Sequence, residues 1–281
     1  MNHLISITKS DGTKQLFEEE KLVSSLRRVG ASAEIVEDVV DEIGKEIRDG
    51  MTTSEIYSRA FALLRKHSSS VAAKYSVRRA MIELGPDGFP FERFIARIFK
   101  MWGYDTITDQ MVQGKSVDHE IDVIAWKDES LAMVEAKYHN EFGMKCDLKV
   151  SLYVKARYDD INDNFYNYGG TKRKLTERWL ITNTKFTDKA ITYSECNNLK
   201  LLGWNYPAKD NLHEIISENS LHPIACLTSL TRDQKRELAS LNVLVCLDLV
   251  GNPNLLNQIG VKKEDQEKVL TEAQIVIEQA K

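Results

Sequence analysis

The stretch from Asp118 to Lys137 constrains the fold more than any other. It reads Asp-His-Glu-Ile-Asp-Val-Ile-Ala-Trp-Lys, then Asp128-Glu129, then Ser-Leu-Ala-Met-Val-Glu-Ala-Lys. Apolar runs flank a charged turn, which predicts strands at 116–126 and 131–137 paired as a hairpin around a four-residue loop, Lys127-Asp128-Glu129-Ser130. That loop sets a register in which Asp122 lies directly across from Glu135, with Cβ atoms about 5 Å apart. Alternation puts Glu135 and Lys137 on one face, because the side chain of Ala136 points the other way. Opposed carboxylates repel unless something neutralises them. A divalent cation does so and leaves positions open for water and a phosphate oxygen, which makes Asp122 and Glu135 candidate ligands for Mg²⁺ or Mn²⁺. Lys137 beside them would orient water or offset charge on a pentacovalent phosphorus, and phosphodiester hydrolysis is the reaction such a set suits. His119 falls at alternate parity to Asp122 and is expected on the opposite face, away from the chemistry.

Around this hairpin the chain reads as three segments. The first opens with a hairpin, Leu4–Lys9 and Gln15–Phe17 about a Ser10-Asp11-Gly12-Thr13 turn, followed by four helices, the last from Ser70 to Leu84. Gly85-Pro86-Asp87-Gly88 then breaks the chain. The second segment begins with a core-facing helix, Phe91 to Trp102, and continues after the strand pair with a helix at 147–161, a strand at 178–184, a helix at 187–199 and a strand at 201–205. From Pro207 only helical patterns remain, including 231–241 and 264–279. The expected class is α+β and multidomain: a small hairpin-plus-helices domain at 1–85, an α/β core with a mixed sheet at 86–206, and a helical domain at 207–281.

Composition narrows the function classes. With 42% hydrophobic and 28% charged positions over 281 residues, intrinsic disorder is excluded as the main state. A net charge of −4 argues against a protein that coats nucleic acid with a whole basic face, so phosphate contacts must come from a local groove. The apolar runs stop well short of the roughly 18 residues of a membrane helix, and Met1-Asn2-His3-Leu4 lacks a signal-peptide pattern, so a cytoplasmic protein with no membrane partner is expected. The four cysteines, Cys146, Cys196, Cys226 and Cys246, form no C-x-x-C pair and are expected to be reduced and mostly buried.

Two resemblances add to this reading. His119-Glu120-Ile121-Asp122 followed by Glu135-Ala136-Lys137, behind Phe91-Glu92-Arg93-Phe94 and Trp102-Gly103-Tyr104, resembles the PD-(D/E)xK nuclease superfamily, most closely the type IV, Mrr-like restriction endonucleases. The resemblance implies that Asp122 and Glu135 ligate metal with the Ala136 carbonyl, that Lys137 serves the attacking water, and that Glu92 is an auxiliary catalytic ligand. The proline that usually precedes the first aspartate is absent. Where some relatives carry a glutamine and a tyrosine four residues apart on the next helix, Lys149 and Tyr153 stand here.

Ile7-Thr8-Lys9-Ser10-Asp11-Gly12, Phe17 through Lys21-Leu22, Thr53-Ser54-Glu55-Ile56 and Val71-Ala72-Ala73-Lys74-Tyr75 with Arg78-Arg79 are similar to the ATP-cone, a regulatory nucleotide-binding domain. That likeness implies ATP or dATP as a regulatory ligand, with Lys9 and Lys21 meeting the triphosphate and Thr53 and Tyr57 near the base or sugar. Ser10 stands where most ATP-cones have an arginine. In the last segment, residues 227–260 weakly resemble a helix-hairpin-helix unit, a DNA-backbone binder.

Each feature also has a structural reading. An acidic alternating strand is usually a solvated face, Glu92 and Tyr153 are compatible with helix surface or core, and Lys9 and Lys21 with plain surface lysines. Lys172-Arg173-Lys174 reads equally as a solvated loop or as a phosphate-tracking edge. The combination favours a Mg²⁺-dependent DNA endonuclease set by ATP or dATP, homo-oligomeric and directed against foreign DNA. The competing reading is a nucleotide-sensing DNA-binding regulator with a non-cutting nuclease fold.

Overall fold

The computed structural model describes residues 5–9, 12–83, 89–141 and 143–278. The turn residues Ser10 and Asp11, the 85–88 break, and Leu84 and Gln279 at two expected helix ends lie outside them. The contacts group the chain into two units, residues 1–83 with 216–281, and 84–215. The segments at either end of the sequence therefore share one unit, where the sequence reading kept 207–281 apart.

In the first unit, β1 (Ser6–Thr8) and β2 (Lys14–Leu16) pair antiparallel, Ser6 opposite Leu16. Helices α1 (Glu19–Arg28), α2 (Ala33–Glu46) and α3 (Thr53–His67) follow. Leu26, Val39, Ile43, Ala60 and Leu64 form their core with Ile7 from the hairpin. Thr52 caps α3 through a reciprocal bond pair with Glu55, and its parallel bridge to Thr8 docks β1 on the start of that helix. The expected fourth helix is two, α4 (Ser69–Tyr75) and α5 (Val77–Ile82). The break falls at Ser76, whose hydroxyl donates to the Ala73 carbonyl at 2.8 Å and so offers the backbone an alternative to the helical ladder.

Unit two opens with α6 (Phe89–Met101), ended by Gly103 at φ +83, and then β3 (Asp105–Gln113), a strand not expected from the sequence. Next come β4 (Asp118–Lys127), β5 (Ser130–Lys137) and the short β6 (Lys145–Cys146). After α7 (Leu148–Ile161), β7 (Phe165–Tyr168) and β8 (Thr171–Lys174) form a second unexpected hairpin. Its turn is Gly169-Gly170, both at positive φ, the two-residue geometry that glycine pairs favour. The unit continues with β9 (Glu177–Thr182), β10 (Lys185–Phe186), α8 (Asp188–Cys196) and β11 (Lys200–Leu202).

The main sheet runs β11-β9-β5-β4-β3, antiparallel from β3 to β5 and parallel beyond, so the expected mixed α/β core is present. Trp179 meets Phe99 of α6 edge-on at 5.7 Å, while its neighbour Leu180 joins the core of α7's Val154 and Tyr158. The two helices therefore cover opposite faces of the sheet.

The remaining helices are α9 (Leu212–Glu218), α10 (Arg232–Ser240), α11 (Cys246–Gly251), α12 (Leu255–Gln258) and α13 (Lys263–Glu278). Leu238, Leu249, Leu256, Val269 and Val276 pack there around Ala73 and Ala80 of α4 and α5. Glu272, 4% exposed, accepts from the backbone N–H and hydroxyl groups of Thr228 and Ser229, which satisfies its buried charge. Cys146, Cys226 and Cys246 are buried and Cys196 is exposed, all four as free thiols.

Candidate active site

The β4–β5 turn is tighter than expected. Lys127 pairs with Ser130, which leaves a two-residue loop, Asp128-Glu129, with Asp128 at φ +48. The register is the expected one even so, because both loops align Asp122 with Glu135. The ladder stops at Val123 and Val134, one step before them. There the Ala136 N–H donates to Asp122 Oδ2 at 2.6 Å instead of to a strand carbonyl. Since the N–H and C=O of one strand residue leave on the same side, the Ala136 carbonyl also leaves β5 on the edge toward β4. The other oxygen of Asp122 accepts no bond from a described residue.

The electrostatics reflect crowding. Burial and the Glu135 carboxylate push Asp122 up to about 7. Burial also raises Glu135, against the pull of Arg157 and Lys137. Glu92 on α6 rises to about 8, first through burial, then through a hydrogen bond shared with Asp109 and the charge of Asp122. Lys137 ends β5 with its side chain exposed. The site thus brings Asp122, Glu135 and the Ala136 carbonyl together, with Lys137 one strand position beyond and Glu92 within electrostatic reach.

Two neighbours escaped the sequence reading. Asp109 of β3 stands opposite Asp122 of β4, at a position the ladder skips, with φ +57. The other is Arg157 of α7, whose guanidinium pairs with Glu135 and donates to the Glu120 carbonyl at 3.0 Å and to the Tyr153 hydroxyl at 2.8 Å. Its place four residues after Tyr153, one helical turn on, signals the contact with Tyr153 but not the one with Glu135. The expectation for His119 fails in one respect. Its ring bonds Asp160 of α7 at 2.9 Å, so it lies on the same face as Glu135 and not the opposite one. Strand alternation shifts at the Asp109–Asp122 step, where the left-handed residue interrupts the pleat. His119 nevertheless serves structure, since Asp160 also takes the backbone N–H groups of Ser116 and Val117.

Lys172-Arg173-Lys174 is not a uniform basic loop. Arg173 is 8% exposed and donates to the carbonyls of Asp128, Tyr168 and Thr171, which fastens β7–β8 to the β4–β5 turn. Lys172 and Lys174 are exposed, Lys174 over the Phe165 ring at 5.0 Å.

In the first unit, Lys9 follows the Thr8–Thr52 bridge and lies by register beside Thr53, the first residue of α3. Lys21 pairs with Glu18 at 2.7 Å near the far end of the hairpin, where Phe17 bonds Ile5. Tyr57 stacks on Tyr75 at 4.9 Å, and burial raises its hydroxyl well above the usual phenol range.

Among the described residues no three His, Cys, Asp or Glu side chains converge as a ready cation cage. The donors that do converge, two carboxylates and a carbonyl, are hard oxygens of the kind Mg²⁺ and Mn²⁺ prefer. The raised Asp122 and Glu135 mark a place where added positive charge is favourable, so the residues fit such an ion.

Family models match in chain order: an ATP cone domain over 5–81, a restriction endonuclease domain over 86–154, and an AF1548-like C-terminal domain over 222–277. The chain is thus an ATP-cone joined to a Mrr-type restriction-endonuclease-like domain and a helical C-terminal region. An uncharacterized protein of Archaeoglobus fulgidus is 33% identical over 184 residues, which span 65% of this chain and 99% of that one. The crystal structure of AF1548, a protein of unknown function, superposes with a TM-score of 0.56 at 32% identity, over 68% of this chain and 99% of that one. The chain belongs to this AF1548-like family. No helix among the described residues is long and apolar enough to cross a membrane.

Proposed function

We propose that the protein is a Mg²⁺- or Mn²⁺-dependent DNA endonuclease of the cytoplasm, regulated by ATP or dATP, acting as a homo-oligomer against foreign DNA. The observation that carries the reading is the convergence of Asp122, Glu135 and the Ala136 carbonyl where the β4–β5 ladder ends, inside the span matched by the restriction endonuclease domain. Those three groups would hold the ion. When bound, it would neutralise the carboxylates, polarise a phosphate oxygen and acidify a water.

The chain's own groups supply the rest. Lys137 orients the attacking water and offsets charge on the phosphorus while the new P–O bond forms and the bond to the sugar oxygen breaks. Asp122, held by the Ala136 N–H, keeps one oxygen directed and one available. Glu92, at about 8, carries a proton at neutral pH until added positive charge draws it off, which suits an auxiliary ligand. Lys9, Lys21, Thr53 and Tyr57 are the proposed contacts of the regulatory nucleotide.

The deciding experiment is cleavage of plasmid and single-stranded DNA with Mg²⁺ or Mn²⁺, with and without ATP and dATP. Metal-dependent cutting that responds to nucleotide is expected. DNA binding without cutting under every condition would leave the regulator reading in its place.

A further inference from the structure

Arg157 stands outside the set that the nuclease reading assigns, and beyond the 86–154 span of the restriction endonuclease match. Its place on α7 is fixed by the next residue. Tyr158 is fully buried, and its hydroxyl donates to the carbonyls of Met133 at 2.9 Å and Trp179 at 3.0 Å, so this helical turn is fastened over β5 and β9. From there the guanidinium reaches Glu135, the Glu120 carbonyl and Tyr153, with its central carbon 4.8 Å from the Tyr153 ring centre. The side chains of Arg157 and Glu135 are 12% and 16% exposed.

One observation separates this arginine from a plain structural clamp. It neutralises a carboxylate that the proposed ion would also need, so the two cations compete for Glu135. Its Nε is buried and makes no hydrogen bond with a described residue, as is also true of Arg59, Arg93 and Arg178, so this edge of the guanidinium is uncommitted in the resting arrangement. The guanidinium edge formed by Nε and one Nη matches two oxygens of a phosphate, the bidentate geometry for which arginine is suited and lysine is not.

We propose that Arg157 is a substrate-binding residue that changes partner: it holds Glu135 in the resting protein and, once Glu135 is engaged by a divalent cation, turns to the DNA phosphate at the site. Tyr153, exposed beside it, keeps the released guanidinium at the site mouth. The exchange keeps the carboxylate pair neutralised in both states. It also couples phosphate binding to metal occupancy, since the arginine is free only when the metal site is filled. The inference rests on the nuclease reading.

The test uses the full chain and two readouts other than turnover: Mn²⁺ affinity by calorimetry without DNA, and affinity for a short DNA duplex in Ca²⁺. Arg157→Gln removes the competitor for Glu135, so Mn²⁺ should bind about five- to tenfold more tightly. The same variant lacks the phosphate contact, so the duplex should bind about tenfold more weakly. Arg157→Lys, which keeps a charge without the fork, should shift both in the same directions by less, and it serves if the glutamine variant does not fold. An arginine that only braces the site would give unchanged or weaker Mn²⁺ binding. That result, or tighter Mn²⁺ binding with unaltered duplex affinity, overturns the proposal. A wild-type protein that neither binds Mn²⁺ nor cuts DNA would overturn the nuclease reading itself, and this inference with it.

Discussion

The carboxylate of Asp122 accepts the backbone N–H of Ala136 at 2.6 Å, where a continued ladder would have put a strand carbonyl. This contact opens β4 from β5 just past Val123 and Val134, and the Ala136 carbonyl leaves β5 on that same edge. A side chain has replaced a backbone acceptor, so the sheet ends in a cluster of oxygens without leaving the Ala136 donor unpaired.

Loss of Asp122, Glu135 or Lys137 should therefore act on chemistry more than on folding. Asp122→Asn keeps an oxygen for Ala136 but lowers the charge on the proposed ion site, and cleavage should fall by about a thousandfold or more. Glu135→Gln should behave alike, and Lys137→Ala should lose cleavage while retaining Mn²⁺ binding. Cleavage assays paired with calorimetry check all three, and wild-type cutting by the Asp122 variant would remove it from the site.

The raised carboxylates give a signed pH dependence. A carboxyl whose folded value lies above its unfolded one binds its proton more tightly in the native state, so stability is greatest below the unfolded value and is lost as pH rises through the folded one. For Asp122, raised to about 7, and Glu92, raised to about 8, that window runs from roughly pH 4 to 8. Melting temperature in chelator should fall across it, Mn²⁺ should restore more stability at pH 8 than at pH 6, and Asp122→Asn should flatten the fall. A melting temperature that rises with pH and is unmoved by that substitution would contradict the assignment.

Arg173 and its neighbours should separate by role. Arg173→Ala leaves three carbonyls without their donor beneath the β4–β5 turn, which should cost about 2–3 kcal/mol in stability. Lys172→Gln with Lys174→Gln should leave stability nearly unchanged and make the salt dependence of DNA binding shallower by up to about two units of slope. Denaturant melts and binding titrations over a salt series distinguish these, and an unchanged slope would make the two lysines merely solvated.

The sequence made the Asp122–Glu135 alignment legible because strand alternation and a short charged turn leave little freedom in register. It did not show β3, because Asp105–Gln113 is a half-exposed edge strand whose alternation is carried largely by threonine, glutamine and aspartate. With β3 unseen, the Asp109 break was unseen, and His119 went to the wrong face. Arg157 was hidden for another reason: its meeting with Glu135 depends on how α7 lies on the sheet, which the Tyr158 hydroxyl fixes and no periodicity reports. The Gly169-Gly170 pair was a readable turn signal for β7–β8, although nothing in a run of two lysines and an arginine says that the arginine is the buried one.

Nucleotide control should be read in the full chain, because Ala73 and Ala80 are buried against residues 224–277 and a fragment ending at 85 would expose them. Lys9→Ala combined with Lys21→Ala should weaken ATP and dATP binding by about tenfold or more, since each removes a charge-assisted phosphate contact, and should abolish any nucleotide-dependent change in mass measured by light scattering. The structure also gives a route by which occupancy could be felt beyond the nucleotide residues. Tyr57 stacks on Tyr75, the next residue Ser76 donates to the Cys226 carbonyl at 3.3 Å, and Arg65 of α3 reaches the Thr228 carbonyl at 3.5 Å, beside the turn that Glu272 holds. A ligand that orders Tyr57 should therefore slow amide exchange in α4 and across 226–230, and Tyr75→Ala should remove the effect at 226–230 while the lysine contacts remain. Nucleotide binding that protects the hairpin and α3 but leaves 226–230 unchanged would show that the helical region does not respond through this contact chain.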